Sequence, residues 1–276
     1  MGAKGAQGRR SNEATDVDHH TNWFAFLPGY HSLHEYLNAN KAHLVVYPAG
    51  ATSYETVHHV FAAGLVFLFL VITSLIANAR FKNVEEAVIP PSSFELTAFF
   101  ELVYEIMSGL MQNVIGDNYR RYLPMIGTCA LFILFSNLLG LVPGFVPPTD
   151  NLNTTAACAL VIFVWFNWHA LRKQGIAYIT HMANPVGEWW GWFLAPLMFP
   201  VELFGIFVRP VTLALRLAAN MIGDHKVLFA FAGFLPLLLP LPFYALGSMV
   251  CLIQTAVFCI LSTVYIALHA EADDAH

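Results

Sequence analysis

Charge is what this chain has least of. Only 11% of its 276 residues are Asp, Glu, Lys or Arg, against about 25% in a soluble domain. With 57% hydrophobic residues in long runs, that deficit argues against a water-soluble globule and for a polytopic membrane protein. Cysteine is scarce too. Cys129, Cys158, Cys251 and Cys259 lie in apolar segments without a CxxC pair, so buried inert thiols are expected rather than a disulfide framework or a metal site. The polar, His-rich first 53 residues lack an apolar h-region, so no cleavable signal is expected. The formal net charge of −5 says little, because the position of the charges matters more than their sum. What the chain does have is 23 Phe and six Trp, the latter near segment ends, as in a lipid-facing protein with aromatic belts.

Hydropathy divides the chain into a polar segment at 1–56, a membrane domain at 57–270 and an acidic tail at 271–276. Spans are expected at 57–79, 122–142, 153–170, 193–222 and 227–268. Lys and Arg orient them. The loop after the first span carries Arg80, Lys82, Arg120 and Arg121, and the loop after the third carries Arg172 and Lys173. The loop after the second carries neither residue type. Loops one and three are therefore placed in the cytoplasm, the N-terminal segment outside and the C-terminus inside.

Between the first two spans, residues 92–118 read differently. Ser92-Ser93-Phe94-Glu95 is a capping box after Pro90-Pro91. Leu96, Phe99, Phe100, Val103, Met107, Leu110 and Val114 then share one helical face, opposite Glu101, Glu105, Ser108 and Gln112. This pattern predicts an amphipathic helix lying at the cytoplasmic interface. The last two segments are too long to stand upright: 30 residues of helix span about 45 Å, while the hydrocarbon is about 30 Å thick. A strongly tilted hairpin turning near Pro236, Pro240 and Pro242 is expected, at the midpoint (Leu235) between Arg216 and Gln254. Those two residues then lie at one depth.

The fourth span alone carries several charges. At 100° per residue Glu202, Arg209, Thr212, Arg216 and Asn220 fall within an arc of about 80°. A face so lined must meet water, a partner protein or both. Arg209 has Glu202 two turns away as a candidate mate. Arg216 has no acid within two turns. Guanidinium keeps its proton in proteins, and holding one mid-span costs roughly 2.5–3.5 kcal/mol on insertion scales. Its counter-charge is therefore expected from another chain. Gln254, Ser262 and Tyr265 lie on one side of the facing helix.

The run from Arg209 to Met221, Arg-Pro-Val-Thr-Leu-Ala-Leu-Arg-Leu-Ala-Ala-Asn-Met, resembles the signature of the ATP synthase subunit a family, bacterial type. So does Ser136-Asn137-Leu138-Leu139-Gly140-Leu141-Val142-Pro143-Gly144, and Gln254 with residues 258–265 is similar to that family's last helix. The likeness spans roughly residues 79–270. It implies an all-α protein of about five membrane helices plus an interfacial one, in a bacterial inner membrane. It further implies a stator that passes protons to and from carboxylates of a c-ring through two offset half-channels and couples their flow to rotation. Partners implied are the c-ring, the subunit b stalk, the remaining ATP synthase subunits and membrane lipid. By resemblance Arg216 is the essential arginine facing the ring. Asn220, Gln254 and Asn137 line the outer path, and Glu202 is the acid of the inner one. His225 takes a position that bacterial relatives often fill with Glu and mitochondrial ones with His; imidazole titrates near neutrality, which suits a relay. Thr212 and Arg209 complete the stripe. Gly247 and Gly140 depart from the family, standing where relatives commonly place a relay partner and, in some, an Asp.

Three rivals are weighed. Haem ligation needs His pairs deep in facing spans, whereas His58-His59 and His169 stand at span ends. An intramembrane protease fails because Ser248 and His269 are about 31 Å apart on one helix. A secondary transporter binding an anion at an intramembrane arginine is the serious alternative, though no internal repeat supports it. No metal, cofactor, nucleic acid or catalytic site of its own is expected.

Overall fold

The apolar runs fold as helices because nothing else satisfies an isolated backbone in hydrocarbon. The computed structural model describes residues 55–81, 96–142, 144–175, 191–232 and 240–270. In it the helices are α1 (Glu55–Phe81), α2 (Leu96–Ile115), α3 (Tyr119–Leu139), α4 (Leu152–Gln174), α5 (Gly191–Ala232) and α6 (Pro240–Ala270). Short 3-10 turns occupy Gly116–Asn118 and Pro148–Asp150. All helices but α2 contain a stretch long and apolar enough to cross a membrane. The protein is an all-α polytopic membrane protein.

The ends of these helices have local causes. Gly116, at φ 75°, takes the left-handed conformation that lets α2 turn into α3. Asn151 caps α4, its Oδ1 accepting the Asn153 amide at 2.9 Å. Gly175 closes α4 with its amide donating to the Leu171 carbonyl at 2.8 Å.

One boundary differs from the sequence reading in a way that matters. The fourth span was expected to stop at 222 and the fifth to begin at 227. Instead α5 runs unbroken through Gly223, Asp224, His225 and Lys226 for 42 residues, about 63 Å, and α6 has 31. A polar run looked like a break. Yet one glycine costs a helix only about 1 kcal/mol relative to alanine. Met221 and His225 also continue the buried stripe of Leu213, Leu217 and Ala218. The capping box at 92–95, the turn at 233–239, the N-terminal segment to residue 54 and the acidic tail lie outside the described residues.

α6 is the hub, packing on α2, α3 and α5, while α4 packs chiefly on α5. Cys251, Thr255, Phe258, Ser262 and Ile266 recur at three- and four-residue spacing and are buried. The buried hydroxyls of Thr255 and Thr263 donate one turn back, to the Cys251 and Cys259 carbonyls at 2.8 and 2.7 Å. α2 turns Met107 and Met111 inward and leaves Glu101, Glu105 and Gln112 exposed, as its amphipathic pattern requires. α1 is peripheral. It presents Phe67, Leu68 and Leu75 outward, which in a membrane means to lipid.

Phe258 is fully buried at the hub. Phe258→Ala should therefore destabilise the bundle by about 3 kcal/mol, the low end of such truncations, because helix association in lipid rests on packing rather than on expulsion of water. A lowered melting temperature of the detergent-solubilised complex checks this.

Candidate functional site: a polar seam between the last two helices

The buried residues of α5 occupy one side of the helix, from Ile206 through Leu213 and Leu217 to Met221. The polar stripe lies along the flank of that side. Glu202, Thr212, Arg216 and Asn220 are exposed and Arg209 is half-buried. The stripe is therefore neither core nor fully turned away. It borders α6 on one edge and is uncovered on the other.

Two contacts fix the border. The Asn220 amide Nδ2 donates to Gln254 Oε1 at 2.7 Å. Near the other end of the stripe, the Arg209 guanidinium lies 5.7 Å from the centre of the Tyr265 ring. Gln254 is buried, so its carbonyl needs that donor. The pairing sets the depth of the hairpin. Gln254 stands level with Asn220, one turn beyond Arg216.

The two arginines of the stripe are in different electrostatic situations. Arg209 Nη2 is 3.7 Å from Glu202 Oε1, with 23% and 49% of the two side chains exposed. That is charge neutralisation without a hydrogen bond. Among the described residues Arg216 has no acid within ion-pair distance. Its neighbours toward the open edge are small: Ala219 and Gly223 are exposed beside it. Thr212 spends its hydroxyl on its own helix, donating to the Arg209 carbonyl at 2.9 Å.

A second polar group sits where α3 ends. Asn137 is fully buried, and its Oδ1 accepts from Thr149 Oγ1 at 2.6 Å. Thr149 belongs to the Pro148–Asp150 turn, which is packed among α1, α3, α4 and α5. Beside it, Asn151 Nδ2 meets His59 Nδ1 of α1 at 3.3 Å. The Asn137 amide nitrogen, Ser136 Oγ, Asp224 Oδ2, Ser262 Oγ and Arg209 Nη1 are buried without a hydrogen-bond partner. His225 is buried within α5 rather than in a loop.

The fold thus brings Asn220 together with Gln254, and Arg209 with Glu202 and Tyr265. Asn137, in α3, pairs with Thr149 of the α3–α4 turn. Thr149 and Asn151 are not singled out by the sequence, and His59 is read there only as a residue at a span end. The Thr149 contact spans a loop whose course no periodicity specifies, and His59 and Asn151 are 92 residues apart.

Thr149→Val should leave both ends of the Asn137 amide unsatisfied in the core and cost about 1–3 kcal/mol. Thr149→Ser, which keeps the donor, should stay near the parent. Thermal stability of the purified complex separates the two.

The family described as ATP synthase A chain matches residues 59–267. The ATP synthase subunit a of Sorangium cellulosum is 40% identical over 224 residues, covering 81% of this chain and 86% of that one. That of Bdellovibrio bacteriovorus is 42% identical over 216 residues, with 78% and 92% covered. That of Geobacter sulfurreducens is 40% identical over 212 residues, with 77% and 86% covered. Neither these matches nor the geometry favours the secondary transporter weighed above. Matched along five apolar helices and through the arginine stripe, the chain belongs to the ATP synthase subunit a family, a proton-translocating component of the membrane-embedded Fo sector that works within a complex of other subunits.

Proposed function

We propose that this chain is the stator wall of a rotary proton path, with Arg216 facing the ion-binding carboxylates of a c-ring and dividing two offset half-channels. The observation that carries the reading is the exposed guanidinium of Arg216, at membrane depth and without an acid from its own chain among the described residues. A buried-membrane cation of this kind needs a counter-charge. At 4 Å and an effective dielectric near 20, a carboxylate would supply about 4 kcal/mol of attraction. That captures an ionised acid and releases a protonated one. The exposed Ala219 and Gly223 leave room for a partner helix to come close.

The outer half-channel is lined by Asn137, His225, Asn220 and Gln254. A proton arriving there neutralises a ring carboxylate beside Arg216, and the neutral site turns into lipid, where a charged one would be prohibitively costly. After nearly a full turn the site reaches the inner half-channel at Glu202, Arg209 and Thr212 and ionises. Arg216 then attracts the new carboxylate. Its fixed positive charge also repels protons between the half-channels and stops a direct leak. A potential of 100 mV adds about 2.3 kcal/mol per charge moved. The chemistry of ATP synthesis lies in other subunits, and the subunit b stalk holds this one still. The Lys and Arg bias of the loops supports an outside N-terminus and a cytoplasmic C-terminus in a bacterial inner membrane.

Arg216→Ala should abolish coupled proton transport, measured as ATP-driven acidification of inverted membrane vesicles; normal pumping in this variant would sink the reading. Arg216→Lys should also fail, since a compact ammonium does not replace a broad, weakly hydrated fork. Ala219→Cys, on the open edge, should cross-link to a cysteine placed beside the carboxylate of the ring subunit.

A further inference from the structure

Asp224 has no part in the stripe read from the sequence, yet its surroundings are unusual. It lies four residues after Asn220, about 6 Å farther along α5 and about 40° round toward the packed side. Its Oδ2 is buried and has no hydrogen-bond partner. On the facing helix Cys251, three residues before Gln254, lies close enough to Asp224 for the two to interact electrostatically. Since α5 and α6 run antiparallel, Asp224 and Cys251 form the next rung of the seam beyond the Asn220–Gln254 pair. Here a carboxylate is held at the edge of the seam with one oxygen stripped of water and donors. A structural acid would be paired or hydrogen-bonded, because an unsatisfied buried carboxylate oxygen is destabilising. Charge exchange with a mobile proton is the chemistry such a group suits.

We infer that Asp224 is a proton relay residue of the outer half-channel, one turn outward of Asn220 and Gln254. This rests on the function proposed above. The carboxylate takes a proton from outer water, becoming neutral, and gives it up through water along the Asn220–Gln254 pair to the ring carboxylate, becoming anionic again. Among the described residues the titratable and charged groups toward this end of the bundle include Arg216, His225 and Lys226 of α5, Tyr244 and Cys251 of α6, Asp150 of the α3–α4 turn and His59 of α1.

The test uses the complete complex in inverted vesicles, stripped of its catalytic head so that passive proton conduction is read with a pH-sensitive dye. Asp224→Asn should lower conduction by about 100-fold, the lower bound for losing a positioned acid–base group, while the Ala219→Cys cross-link to the ring still forms. Asp224→Glu, with nearly the same intrinsic pKa, should restore conduction. Asp224→His should conduct with its dependence on outer pH displaced upward toward the imidazole range. Conduction by Asp224→Asn at the parent rate overturns the inference, as does an Asp224→His profile that does not move. If Arg216→Ala is inactive in either case, the function stands and only the relay falls. If Arg216→Ala pumps normally, the function itself falls.

Discussion

A guanidinium cannot remain in hydrocarbon without something to answer its charge, and most of this architecture follows from that constraint. The protein leaves Arg216 on an exposed flank instead of burying it against an acid, although the same helix shows how an acid would be supplied: Glu202 stands 3.7 Å from Arg209. Both solutions are present on one stripe, two turns apart. An internally paired arginine has spent its field on its own chain, whereas one without an acid among the described residues keeps the field available to whatever covers the open edge.

That field is useful only if the arginine is held at a fixed depth, and the hairpin supplies the register. Apolar packing alone positions two antiparallel helices loosely along their axes, because one leucine-like contact resembles the next. The Asn220–Gln254 hydrogen bond at 2.7 Å does not tolerate a slip, since a displacement by one turn would leave a buried Gln254 carbonyl unsatisfied. The Arg209–Tyr265 contact constrains the same seam near the far end of the stripe. Arg216 lies between these two fixed points, on a helix about 63 Å long that would otherwise be free to slide.

Much of this is legible in the sequence. The helices are legible because apolar runs of this length have few alternatives in lipid. The stripe is legible because a 100° rotation per residue makes five polar positions coincide, and the relation of Arg216 to a missing acid needs only counting. The end of α5 is not legible from polarity, because Met221 and His225 carry the helix on along the buried side. The hairpin register was off by a turn, since equal lengths of the two arms set Gln254 opposite Arg216 and the side chains chose Asn220 instead. The contacts of Thr149 with Asn137 and of Asn151 with His59 were invisible because each depends on how a loop folds back between helices.

Gly140 and Gly247, where the resemblance to the family leads one to expect larger side chains, are pressed by their neighbours. A Cβ at Gly140 would stand 2.8 Å from the Pro147 ring, and one at Gly247 would stand 3.1 Å from a Leu141 methyl. Both contacts come from the end of α3 and the turn that follows it. This turn has been drawn in against α3, α5 and α1 closely enough to fill the volume that a larger side chain would need. An acid at 140 would have to displace a proline ring and with it the Thr149 hydroxyl that satisfies Asn137. A relay partner at 247 would have to push aside Leu141, which can yield only where its neighbours allow. Close packing at the end of α3 and a side chain at 140 are thus alternatives, while at 247 a small shift of Leu141 decides. This chain has taken the packing at 140, and under the function proposed above any charge-bearing work at that end falls to residues on α5.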